Sequence, residues 1–133
     1  STRNKIAVYH ASMYPCREPA SFMTDITDAM KSTWLPMFDK NGLTLAIEGH
    51  YGCYKVTKVL KNNGPSTMGG TIYIGDGAMG IAPVEFTSAP AFAEIGAFDH
   101  VYVITTSVNG TSITPAIFDA ATQTMKEKTT YTN

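Results

Sequence analysis

His10, Cys16, His50 and Cys53 are the residues of this chain whose types and spacing could together hold a metal ion. They read H-x5-C and H-x2-C, and the shorter spacing lets two ligands reach one ion from a single turn. Zinc accepts such mixed nitrogen and sulfur ligands in a tetrahedron, and with all four places filled by protein the ion would be structural. Familiar zinc knuckles set two cysteines close together, which these do not. The competing reading is two buried thiols and two unrelated histidines.

The same residues could serve catalysis, with Cys16 or Cys53 as nucleophile and His10, His50 or His100 as base. Nothing local favours it. No serine stands in a G-x-S-x-G elbow, and the acids are scattered singly. Asp25 and Asp28 are explained by the positive end of a helix dipole. Gly75-Asp76-Gly77-Ala78-Met79-Gly80 matches G-x-G-x-x-G after an expected strand. A dinucleotide site needs a helix next, to present N–H groups to the pyrophosphate, and Ile81-Ala82-Pro83-Val84 denies it. Asn109-Gly110-Thr111 fits a glycosylation sequon but is better read as a hairpin turn. The chain is therefore expected not to be an enzyme and to carry no cofactor.

The charge layout says more than any motif. Residues 1–61 hold eight basic and five acidic residues, whereas residues 62–125 hold five acids and no Lys or Arg. Lys126 and Lys128 against Glu127 bring the total to −1. Either the halves neutralise each other within one fold, or the acidic half meets the basic one on a neighbour. In the second case Lys55, Lys58 and Lys61 are the basic face. Phe92, Ile95 and Phe98 lie in an apolar, poorly periodic stretch that would be the accompanying contact.

These residues need a scaffold, and 133 residues with 44% apolar content suit one domain over residues 1–133. Period-2 alternation predicts a strand over Lys5–His10, with Ile6 and Val8 on one face and Ala7 and Tyr9 on the other. Phe22, Ile26, Ala29, Met30 and Trp34 recur at helical spacing, which predicts a helix over about 19–34 that Pro36 ends. Extended segments follow: Leu43–Ile47, Tyr54–Lys61, Thr71–Ile74, Val84–Phe86, a hairpin turning at Asn109-Gly110, and a last strand within Gln123–Thr132. Pro115 places its strand at an edge or a bulge. The expected class is α+β, a mainly antiparallel sandwich or barrel with one helix, rather than a parallel βαβ sheet.

A pI near 6.2 and balanced charge argue against direct nucleic-acid binding. No apolar run reaches the roughly 18 residues of a membrane span, and no basic-then-apolar signal opens the chain. Two cysteines allow at most one disulfide, so a reducing compartment is the simpler setting. Eighteen threonines in extended segments, segregated charge and apolar connections together point to a self-associating structural protein. A small virion component (capsid, decoration or tail subunit) is the leading expectation, assembled in the host cytoplasm with copies of itself and other particle proteins as partners. A small ligand-binding or zinc-stabilised β-rich domain, cytoplasmic, is the alternative.

Overall fold

A computed structural model describes residues 4–75, 80, 82 and 84–133. β1 (Ile6–Val8) runs parallel to β2 (Leu45–Glu48), and the chain crosses between them through one helix, α1 (Ser21–Asn41). β6 (Ile72–Gly75) joins β2 in parallel, and β3 (Tyr54–Thr57) and β7 (Phe92–Gly96) extend the sheet antiparallel, in the order β1-β2-β6-β3-β7. In a second sheet β9 (Gly110–Asp119) pairs with β8 (His100–Ser107) on one side and with β10 (Thr124–Glu127) and β11 (Tyr131–Thr132) on the other. β4 (Leu60–Lys61) and β5 (Gly64–Pro65) make a small hairpin. The class is α+β with mostly β content, and no barrel closes among the described residues. Within this class, the parallel β1-α1-β2 crossover is the βαβ unit that the sequence reading set aside in favour of mainly antiparallel pairing.

Three layers result. Leu45, Ile72, Ile74, Tyr54 and Val56 face the second sheet and pack with Ile113. Their neighbours in sequence, Ala46 and Tyr73, face the other way and pack with Met30, Leu35 and Phe38 of α1. Alternation along a pleat sends successive side chains to opposite faces, so strands covered on both sides read as continuous apolar runs such as Leu45-Ala46-Ile47.

α1 runs past Pro36, contrary to expectation. Proline removes one helical hydrogen bond and costs roughly 3 kcal/mol in a helix interior. Leu35 and Phe38 are both buried, and burial of each contributes roughly 1.5–3 kcal/mol, enough to offset that cost. Gly42, at φ 63°, ends the helix: its N–H donates to Asp39 O and that of Leu43 to Phe38 O, at 3.4 and 3.0 Å. The buried face carries Met23, Thr27, Met30, Leu35 and Phe38, one step round from the expected stripe, while Phe22 and Ile26 are exposed.

Four further expectations need correction. Residues 92–96 form β7 instead of a loop, and Val84–Phe86 is not a strand. Thr87 N–H there donates to Cys16 O at 2.6 Å, so the segment lies against the Cys16 loop. The Ser107↔Gly110 pairing puts Val108 and Asn109 in the turn, one residue earlier than the Asn-Gly signal suggested. Pro115 sits in the middle strand of its sheet, at the end of β10 and before β11: Lys128 N–H donates to Pro115 O at 2.8 Å, and the one return bond that proline cannot give falls where the paired strand breaks.

Candidate functional site

Glu48, Gly75 and Lys55 stand side by side on β2, β6 and β3, at the carboxyl end of the parallel strands. Each faces the α1 side, where alternation places it beyond Ala46, Tyr73 and Thr57. A Cβ on Gly75 would lie 2.8 Å from Lys55 Cε. Its absence lets the lysine arm cross the middle strand, and Nζ reaches Glu48 Oε2 at 2.7 Å with both side chains 0% exposed. The loop after β1 closes over the pair. Lys55 Nζ also donates to Ser12 Oγ and to Tyr14 O, at 2.5 and 2.6 Å. Glu48 accepts from Tyr9 Oη at 2.7 Å, Met13 N at 2.8 Å and Ser12 Oγ at 2.6 Å.

Burial alone would raise the Glu48 pKa. The Lys55 charge outweighs it, and hydrogen bonds from Lys55, Ser12 and Tyr9 add to that, holding the carboxyl below its usual range. The Tyr9 hydroxyl is pushed the other way, first by burial and then by the Glu48 charge, so it stays a donor. Ser12 and Lys55 have the spacing of a serine nucleophile and its base, yet the chemistry is blocked. All three ammonium donors are engaged, leaving no lone pair to take a proton, and the Ser12 hydroxyl already donates to Glu48. With Ser12, Glu48 and Lys55 all buried, the cluster clamps the 12–14 loop onto the sheet.

The expected zinc set separates into two different features. Cys16 and Cys53 form a disulfide with Cα atoms 6.6 Å apart. Bridged sulfurs are neither thiolate ligands nor nucleophiles, which removes both the zinc reading and the cysteine-nucleophile reading. The bridge also argues against the reducing setting, because disulfides persist in oxidising surroundings. His10 Nε2 and His50 Nδ1 do meet, at 3.0 Å, on the exposed rim beside it. Among the described residues no three His, Cys, Asp or Glu are grouped to hold a metal. His100 lies elsewhere, its Nδ1 bonded to Phe98 O at 2.8 Å. Asp76–Met79 of the glycine-rich motif lie outside the described residues.

The expected interface also changes. Lys55 is buried and cannot present charge to a neighbour, while Lys58 and Lys61 are exposed. Phe92 and Ile95 pack into the core under α1, and Phe98 packs on the core between the sheets. The apolar stretch thus covers its own fold. Two acids of residues 62–125 are paired within the chain: Glu94 with Lys128 at 2.5 Å and Asp119 with Lys126.

Sequence reading missed the Glu48–Lys55 clamp. A signal was present: each of two apolar strands, LAIE and YKVT, carries one charge, and the charges are opposite. Among the described residues no helix is long and apolar enough to cross a membrane. Compared with known proteins, the chain matches no family model and no curated protein.

Proposed function

We propose that this chain is a non-enzymatic structural subunit that associates with copies of itself along the β1 edge of its five-stranded sheet. The observation that carries the reading is the state of that edge. Lys5 O and Tyr9 N bond to β2, so the alternating groups of Ile6 and Val8 point outward. Among the described residues no strand pairs with them. Their side chains are exposed as well, Val8 at 74%. Unprotected edges of this kind are templates for pairing with another chain.

The helix adds to the same side of the molecule. Trp34 packs edge-on against Tyr9, the residue after β1, with ring centroids 5.4 Å apart. On a 3.6-residue turn Ile26, Met30, Trp34 and Met37 share one flank, and Ile26, Trp34 and Met37 are exposed. An apolar helix flank, outward backbone groups and exposed Ile6 and Val8 therefore adjoin one edge. Isologous pairing would cover them in both copies at once.

A small virion component is the kind of assembly this suits. Its support is the β-rich fold and a buried disulfide, a bond that persists on particle surfaces. The closed state of the Lys55–Glu48 cluster supports the non-enzymatic part. Sedimentation velocity tests the reading: the natural chain should associate as its concentration rises. Val8→Lys should remain a monomer with unchanged melting temperature. A natural chain that stays monomeric at every concentration and salt level contradicts it.

A further inference from the structure

Beside α1, on the flank opposite β1, a groove of about 420 Å³ opens between the helix, the β4–β5 hairpin and residues 89–92. Tyr14, Pro15, Pro90 and Phe92 give it apolar walls, and Lys31 and Asn63 stand in it. This volume falls within the range of small-molecule sites, roughly 300–1,000 Å³.

Its polar groups are two donors left over after local bonding. Lys31 Nζ lies 5.0 Å from the centroid of the Tyr14 ring, a cation–π contact, and among the described residues it is in no ion pair. Asn63 Oδ1 accepts from Tyr14 Oη at 3.0 Å, which leaves its NH2 group to donate elsewhere. Both residues are held in place. Asn62 and Asn63 have φ 51° and 60°, the signature of a type I′ hairpin turn, and Asn62 N–H is bonded to Asp39 Oδ2 at 2.8 Å. The described residues lining this groove include no carboxylate, whereas a neighbouring cavity that shares Lys31 and Asn63 carries Asp28 and Asp39. Charge therefore favours an anion on the Tyr14 side alone.

We propose that this groove binds a small aryl anion, a carboxylate or phosphate on one flat ring, with Lys31 and Asn63 holding the charge and Tyr14 and Phe92 flanking the ring. The site is separate from the β1 edge and does not depend on self-association. Amide chemical shifts of the natural chain, titrated with benzoate, phenyl phosphate and inorganic phosphate, test it. At least one aryl anion should give saturable shifts centred on Tyr14, Lys31 and Asn63, and the tighter of the two identifies the headgroup. Lys31→Met, which keeps the apolar arm, should weaken binding at least tenfold, about 1.4 kcal/mol. Asn63→Gly tolerates the same turn and should weaken it less. The proposal is overturned by shifts that do not saturate or centre elsewhere, by equal binding of inorganic phosphate, or by undiminished binding to folded Lys31→Met.

Discussion

Lys55 and Glu48 stand two strands apart, and their ion pair forms across the one residue between them that has no side chain, Gly75. The contact joins β2, β6 and β3 and fixes the loop carrying Ser12 and Tyr14. Removing one partner of a buried pair strands the other charge, so Lys55→Met should destabilise by about 3–5 kcal/mol. Glu48→Leu combined with Lys55→Met should cost less than Lys55→Met alone, because no charge is left unpaired. Chemical denaturation of the three proteins checks both statements.

Gly75→Ala puts a methyl group where the lysine arm crosses. The cost should be about 1–3 kcal/mol, in the range of overpacked cores. Because the clash is with Lys55 itself, the penalty should shrink in the Lys55→Met/Glu48→Leu background, where nothing ties the arm to β2. A double-mutant cycle by thermal melting reads the coupling. Equal penalties in the two backgrounds would assign the cost to Glu48 O, 3.2 Å away, instead.

This clamp was only partly legible in the sequence. Glu48 and Lys55 look like surface charges until β6 is known to lie between their strands, and adjacency of that kind is set by topology, not by local pattern. The period-2 reading of Ile6 to Tyr9 did assign faces correctly, because a strand's alternation is local. Helix length was misjudged because the local cost of Pro36 was weighed without the burial of Leu35 and Phe38. Residues 92–96 read as a loop because β7 alternates irregularly, with a register shift opposite Val56 and Thr57.

Acid should weaken the fold in a defined window. Glu48 and Glu94 both have carboxyls held below their usual range: in each, opposing burial is outweighed, by Lys55 for Glu48 and by hydrogen bonds from Lys128, Tyr54 and Tyr131 for Glu94. A lowered folded-state pKa means the unfolded chain binds the proton first as pH falls. The stabilisation is fully present above the unfolded value of about 4.3 and is lost as pH drops through the folded values. Melting temperature should be flat from neutral pH to about 5 and fall below about 4.3, with a shallower fall in the Glu48→Leu/Lys55→Met protein.

The Cys16–Cys53 bridge closes a 37-residue separation, for which chain-entropy arguments give about 4 kcal/mol. Cys16→Ser/Cys53→Ser should lose stability of that order. Both sulfurs belong to fully buried residues, so reductant should cleave the bridge slowly in the native state and quickly in denaturant. Thiol titration over time distinguishes the two, and rapid native reduction would contradict the burial.

Self-association at the β1 edge is read most directly by amide hydrogen exchange at Ile6 and Val8, whose N–H groups point away from β2. The account predicts fast exchange of both in dilute protein and strong protection at high concentration, with Ala7 and Tyr9 protected throughout by their bonds to β2. Exchange at Ile6 and Val8 that stays fast in concentrated, associated protein would show that copies meet elsewhere and would contradict the assignment of this edge.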